Sequence, residues 1–241
     1  MAIDTRKVAQ RPRDYVRVSG RDAEDFLQRM LSNDVSASCD ALLLTPKGRI
    51  IAPLRVMRRA TDDYLLLTEP GLGEAVRDTL ARARFAAKCE IEPDEHTSIL
   101  VWDDDFAAAE ELVDDDGEPT VDEEQLERAR IEAGVPAWGK ELDETILPAE
   151  AGLDRTHISF TKGCYPGQEP IARLHHRGHP NRTLRRLGVE TAAPDDEIRY
   201  GDKAVGRITS AVPGIALGYV RTEVPARAEL DVGSAKARSL D

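Results

Sequence analysis

Apolar and polar residues alternate from Asp14 to Ser19, with Tyr15, Val16 and Val18 as the apolar positions, and this predicts a strand that Gly20 ends. Asp22 then stands as a helix cap ahead of Phe26, Leu27, Met30 and Leu31, which recur at helical spacing. Ala41–Leu44 and Ile50–Met57 read as two strands joined through Thr45-Pro46-Lys47-Gly48, a turn sequence. Tyr64–Thr68 is a further strand. Leu72, Val76 and Leu80 share one helical face within Gly71–Arg84, and strands at Ile91 and Ile99–Trp102 close the region. Several neighbouring strands are joined directly rather than through helices, so the pattern predicts an α+β fold and not a doubly wound parallel sheet.

The acidic stretch Asp103–Glu124 reads as a solvated loop between two short elements. Its Asp114-Asp115-Asp116-Gly117 run invites comparison with a calcium loop. With Gly117 at the sixth position, Asp114, Asp116 and Glu123 fall at positions three, five and twelve. Leu112 would then be the first ligand, which it cannot be, and Pro119 disturbs the second half. From Arg130 onward Gly134, Pro136, Gly139, Pro148 and Gly152 interrupt the chain. After Leu187 come short segments, Gly188–Glu190, Lys203–Ile208 and Ala216–Val220, which read as a small β-rich unit. The expected division is therefore residues 1–185 and 186–241, with the small, polar Gly233–Asp241 stretch fraying at the end.

Composition narrows the functional classes. A chain of 241 residues, 41% hydrophobic and 32% charged, can bury a sizeable core. No apolar run approaches the ~18 residues that span a bilayer. The N-terminal Asp4, Arg6, Lys7, Arg11 and Arg13 lack the apolar stretch of a secretory signal, so a cytoplasmic location is expected. Cys39, Cys89 and Cys164 are odd in number and far apart, which argues against a disulfide framework and offers no CxxC metal site. The net charge of −12, from 33 basic and 45 acidic residues, disfavours nonspecific binding to nucleic acid. No long heptad or apolar stripe asks for a second subunit, so a monomer is expected.

The segment richest in chemistry is Lys162-Gly163-Cys164-Tyr165-Pro166-Gly167-Gln168-Glu169. Its glycines permit tight turns or close backbone approach to a ligand. Lys162 and Arg173 flank the cysteine, and nearby cations raise the thiolate fraction that a reactive cysteine needs. Gln168 and Glu169 can orient a polar ligand or tie the loop to its neighbours. The same residues also suit a well-capped turn around an inert thiol, and the residues alone leave both readings open.

This octapeptide resembles the KGCYxGQE signature of the YgfZ family, folate-binding proteins linked to iron–sulfur cluster assembly or repair. Leu31-Ser32-Asn33-Asp34-Val35 with Leu44–Ile50 resembles a signature shared with the glycine-cleavage T-protein, an aminomethyltransferase. Arg130–Pro136 with Gly139, Glu141 and Pro148 resembles the central segment of both, and together the matches cover roughly residues 15–187. The resemblance implies a mixed α/β body around a central folate cleft, followed by a small C-terminal β-barrel-like domain. It implies tetrahydrofolate or a derivative as ligand, with the pterin held by Glu132, and a ligand loop of Lys162, Gly163, Tyr165, Gly167, Gln168, Glu169 and Arg173. A carboxylate suits a pterin because the 2-amino group and ring N–H present two adjacent donors. It implies iron–sulfur client or assembly proteins as partners, and Cys164 as the functional thiol. The chain departs from the T-protein where an acidic pair would follow Gly48-Arg49-Ile50-Ile51: Ala52 and Pro53 stand there. Neither residue can give the general acid–base help that is typically worth ~10² to 10⁴ in rate, so aminomethyl transfer, the alternative function, is disfavoured.

The basic segment Arg173–Arg186 carries His175, His176, Arg177, His179, Arg182, Arg185 and Arg186. His175 and His179 are four apart, but Gly178 and Pro180 break the helix that would align them as metal ligands. No interleaved aromatic supports a nucleic-acid patch. An anion site for the glutamate tail of a folate is the preferred reading, with an ordinary solvated loop beside it.

Overall fold

The computed structural model describes residues 6–102, 109–114 and 118–241. Strands β1 (Lys7–Gln10) and β2 (Asp14–Ser19) precede helix α1 (Ala23–Met30), after which β3 (Cys39–Leu44), β4 (Ile50–Ala60) and β5 (Asp63–Thr68) form a meander. Helix α2 (Gly73–Ala83) leads to β6 (Glu90–Asp94), β7 (Thr97–Trp102) and β8 (Ala109–Val113). Helices α3 (Glu123–Ala133) and α4 (Gln168–Arg177) follow, separated by a long connection with two short 3₁₀ turns. Six strands complete the chain: β9 (Arg182–Val189), β10 (Glu197–Tyr200), β11 (Lys203–Val212), β12 (Gly214–Arg221), β13 (Glu229–Val232) and β14 (Ala235–Ser239).

β3, β4, β5, β2 and β6 make one antiparallel sheet in that order. Side chains alternate across its faces. Tyr64 and Leu66 of β5 join Phe26, Leu27, Val76 and Leu80 in the core beneath α1 and α2. Leu65 and Leu67 face the other way and pack with Tyr15 against Leu112 of β8. Burial on both faces explains why β5 is an unbroken apolar run rather than an alternating one. Arg13 joins this sheet to the three-stranded sheet β1-β7-β8. Its guanidinium donates to Glu110 at 2.9 and 2.8 Å and to Glu69 at 2.7 Å.

β9–β14 close into a barrel in the order β10-β11-β12-β9-β14-β13, around Leu187, Ile198, Ile208, Val220 and Leu230. A six-stranded barrel is narrow, and glycines let its walls approach. A Cβ on Gly206 would lie 2.0 Å from the carbonyl oxygen of Tyr219.

Four expectations are corrected. The tail does not fray: Ala235–Ser239 is β14, whose pairing with β9 and β13 closes the barrel. The acidic stretch is not all loop, because Ala109–Val113 pairs with β7; Asp115, Asp116 and Gly117 of the calcium-loop comparison lie outside the described residues. Arg130 does not open a new region but lies within α3, capped by Asp122 and Gln125 reciprocally and ended by left-handed Gly134. Asp22 makes no side-chain cap bond and instead accepts from the Lys88 amide at 2.8 Å. No helix among the described residues is long and apolar enough to cross a membrane.

Candidate functional site

The octapeptide is a turn that runs into α4. Gly167, its N-cap, has φ 84°, and a Cβ there would lie 2.6 Å from Thr45 O and 3.0 Å from Gly48 Cα. Left-handed backbone and close approach coincide, so glycine is required on both counts. Gly48 is also left-handed, at φ 75°. The Thr45–Gly48 turn and the octapeptide, more than a hundred residues apart in sequence, thus meet back to back.

Lys162 fixes the other end of the turn. Its ammonium donates to Leu31 O at 2.9 Å and Asn33 O at 2.6 Å. Burial pushes its pKa down to about 8, against the opposing pull of Asp34. The preceding residues are sewn to the same place. Ser32 Oγ donates to His157 O at 2.6 Å and accepts from the Leu42 amide at 2.8 Å, while Asn33 Nδ2 donates to Asp40 O and Thr156 O. Tyr165 is buried among Leu42, Leu142, Ile146 and Ile171. Its ring lies 5.7 Å from the Lys162 ammonium, and burial raises its hydroxyl to about 12. Cys164, between these two anchored side chains, is exposed. Cys39 is half-buried, its thiol pushed up to about 11 chiefly by burial, and Cys89 is buried and shifted the same way. Gly163 has open space where a Cβ would stand. Arg173 pairs with Glu169 at 2.9 Å on the exposed face of α4, and the Gln168 amide N–H reaches Tyr165 O at 3.3 Å. Both cations expected beside the thiol therefore have partners elsewhere.

Glu132 lies on α3, its carboxylate exposed and 3.6 Å from Arg128 Nη1. The neighbouring Arg130 and Glu141, which the sequence does not single out as a pair, form the most buried ionic contact near it. Glu141 is fully buried and accepts from Arg130 at 2.8 Å, Ser210 Oγ at 2.6 Å and the Ala137 amide at 3.0 Å. Arg130 also takes Glu127 in a two-bond fork and donates to Ser210 Oγ. That fork, with Lys140, holds Glu127 down at about 2. A buried carboxylate is tolerable only when so fully satisfied. The network ties α3 and the 137–142 loop to β11, and Tyr219 of β12 adds a bond to Glu141 O.

A cleft of about 620 Å³ opens beside the end of α3, with Gly134, Glu150, Asp154, Arg155, Arg185 and Arg186 among its walls. A narrower recess of about 160 Å³ adjoins it, sharing Ala149, Asp154 and Pro180 and lined further by Phe160, Ile171 and His175. The Phe160 and His175 rings stack with centroids 4.0 Å apart. Ala133 and Gly134 line the larger cleft, whereas Glu132 itself and Lys162–Glu169 line neither. His179 lies past the end of α4 at Gly178, so it does not share a helical face with His175. No cluster of three or more His, Cys, Asp or Glu placed to hold a metal occurs among the described residues.

Ala52 is wholly buried, paired with Leu43, and Pro53 pairs with Leu42 and accepts from Thr68 Oγ1 through its carbonyl. Neither residue nor its paired partner on β3, Leu43 or Leu42, is ionisable. No protein-family model matches the sequence. It is 29% identical over 252 residues to the tRNA-modifying protein YgfZ of Klebsiella pneumoniae, covering 81% of this chain and 77% of that one. The chain is a homologue of the YgfZ-type proteins. It is also 30% identical to a mitochondrial iron–sulfur cluster assembly factor IBA57 homolog of Mycosarcoma maydis, covering 72% of this chain and 55% of that one, so it spans about half of that relative. Among solved structures, this YgfZ homologue shares the fold of the glycine cleavage system aminomethyltransferase T of Bartonella henselae. The TM-score is 0.79 at 17% identity, over 98% of this chain and 84% of that one. The α+β body and C-terminal barrel are therefore those of the T-protein fold.

Proposed function

We propose that this protein is a folate-binding accessory factor supporting iron–sulfur cluster assembly or repair, with Cys164 as its working thiol and tetrahydrofolate or a derivative as its ligand. The observation that carries the reading is the position of Cys164. It is the exposed thiol of the three, held between the anchored Lys162 and the buried Tyr165 in a chain similar to an iron–sulfur cluster assembly factor. A thiol meant to meet a partner or a small molecule needs an accessible sulfur on a fixed backbone, and this turn supplies both.

The residues fit a folate. The Glu132 carboxylate has only a long contact to Arg128 and is open to the paired donors of a pterin. The cleft beside it, about 620 Å³, falls within the usual range for small-molecule sites. When bound, the folate supplies one-carbon chemistry. The chain's own part is to accept the pterin's protons in hydrogen bonds at Glu132, to hold the ligand beside α3 and to present Cys164. Aminomethyl transfer is the poorer reading, because buried Ala52 and Pro53 offer no carboxylate. We further propose a cytoplasmic monomer whose partners are the folate and iron–sulfur client or assembly proteins, divided at residues 1–185 and 186–241. Direct binding of RNA is not part of the proposal, since a net charge of −12 repels phosphate.

Two measurements test it. In anaerobic titration calorimetry, tetrahydrofolate binds the wild type saturably and binds Glu132→Gln at least about tenfold more weakly, the worth of a charge-assisted bond. No binding by folded wild type removes the folate from the function. In cells lacking the protein, Cys164→Ala leaves iron–sulfur enzyme activity low. Full recovery with that variant sinks the role of the thiol.

A further inference from the structure

Glycine, asparagine and aspartate take left-handed backbone readily, whereas a bulky side chain does so only where its surroundings hold it there. Among the described residues, two that are not glycine have positive φ: Asp195 at 74° and Phe85 at 43°. Phe85 follows α2 in the turn Arg84–Ala87, which the Ala87 amide closes by donating to Arg84 O at 2.9 Å. It stands at the turn position that glycine ordinarily fills when φ is positive. The rest of the turn is tied down. Ala83 and Ala87 pack against the core, the Lys88 amide donates to the Asp22 carboxylate at 2.8 Å, and Arg84 donates to Cys89 O at 3.1 Å. Phe85 itself is 93% exposed, far beyond Leu240 at 51%, the next among the large apolar side chains. Folding gains little from a ring left in water on unfavourable backbone. The charges along this segment have one sign. From Thr79 to Cys89 stand Arg82, Arg84 and Lys88 and no carboxylate, in a chain of net charge −12. Arg21, in the loop that Lys88 meets, is exposed too. The carboxylates that face these cations are Asp78, 3.6 Å from Arg82, and Asp22, 3.7 Å from Arg21. Exposed contacts of that kind are weak and part readily.

We propose that the Phe85 turn is a docking anchor for a protein partner with an acidic surface, the ring entering an apolar pocket and Arg82, Arg84 and Lys88 meeting the carboxylates around it. Aromatic and arginine side chains carry much of the energy of protein interfaces, and a side chain already fixed in place loses least entropy on binding. Charges more than about 8 Å apart are screened at physiological ionic strength, so the local sign outweighs the net charge of the chain. A single ring with three cations is too little for the other polyanions. A nucleic-acid strand is held by several stacking aromatics, and an anionic bilayer by a larger basic cluster with more apolar side chains. A rigid turn suits a shaped pocket, which neither of them offers. The turn contributes no residue to the clefts beside α3 and α4 or to the octapeptide, so this surface is independent of the folate and of Cys164.

Two experiments test it. Phe85→Gly and Phe85→Asn both fit left-handed backbone and keep the turn, so thermal melting should show Tm raised by about 2 °C as strain is relieved. A fall in Tm in both variants would show that the ring supports the fold, and would overturn the anchor. In the second experiment Phe85→p-benzoylphenylalanine is made as the full chain in cells lacking the protein and irradiated. Tyr200→p-benzoylphenylalanine, at another exposed ring, is the control. Position 85 alone forms an adduct with one acidic protein, and Arg82→Glu combined with Arg84→Glu cuts its yield about tenfold. That protein, once purified, binds the wild type, binds Phe85→Gly at least about tenfold more weakly, and loses affinity as salt is added. Adducts with lipid, with RNA, with a second copy of this chain or with a protein of basic surface overturn the proposal, as does the lack of any adduct particular to position 85.

Discussion

Lys162 illustrates how one residue of a recognisable motif acts by an unexpected route. Its spacing from Cys164 suggests an electrostatic influence on the thiol, yet its protons go to Leu31 O and Asn33 O, and its work is to fasten the turn. That position has a pH consequence. The folded pKa is about 8, against an ordinary 10.5. Between those values the unfolded chain holds a proton that the folded chain has released, so stability rises with pH across the window. The raised thiols of Cys39, with a folded pKa near 11 against 9.0, and of Cys89 work in the opposite sense as pH approaches and passes 9, so the share of Lys162 is read as the difference between wild type and Lys162→Met over pH 8–9. Urea midpoints of the wild type should rise from pH 8 to 9 relative to those of Lys162→Met. The slope should fall short of the ceiling of about 1.4 kcal/mol per pH unit because the ammonium keeps some solvent. Lys162→Met should remove that slope. Equal slopes in both proteins would mean that the ammonium feels water rather than the protein interior.

Elements were legible in proportion to how far apolar burial builds them. β2, β5, α1 and α2 each carry their core residues in a pattern that periodicity reports, and the residues so marked are those that fill the core. α3 escapes this reading because it is rich in Glu and Arg and buries fully only Ile131. Its signal lies in the caps instead: Asp122 with Gln125 three residues on, and Gly134 at the end. β8 hides for a related reason, since Glu110 and Glu111 pair with Arg13 and Arg6 and look like solvated loop. The octapeptide was legible as a motif, and Gly167 shows why: a turn that needs left-handed backbone against Thr45 leaves a glycine in the sequence. The Arg130–Glu141–Ser210 network was not legible. It depends on segments up to 80 residues apart, and spacing along the chain says nothing of such meetings.

At the scale of the molecule, the barrel and the body share the walls of the cleft, so the barrel's closure bears on the site. β14 pairs with β13 from Glu229↔Arg238 to Val232↔Ala235 and with β9 from Ala237↔Val189 to Ser239↔Leu187. Beyond it, Asp241 holds Arg186, which in turn donates to Glu132 O at 2.8 Å, while Ile131 of α3 packs on Ile215 and Leu217 of β12. Removing residues 233–241 would expose the edges of β9 and β13 and uncover Val189 and Leu230. With each lost ladder bond worth about 1 kcal/mol, the cost is on the order of 3 kcal/mol or more. Thermal melting should register it as a clear fall in Tm, and hydrogen exchange should show amides of β9 and β13 opening together with the last turn of α3. Asp241→Ala, which leaves β14 in place, should loosen that last turn with little change in Tm. If the truncated protein kept the wild-type Tm and the α3 amides stayed protected, the barrel would be a passive appendage, and the cleft would draw its order from the body alone.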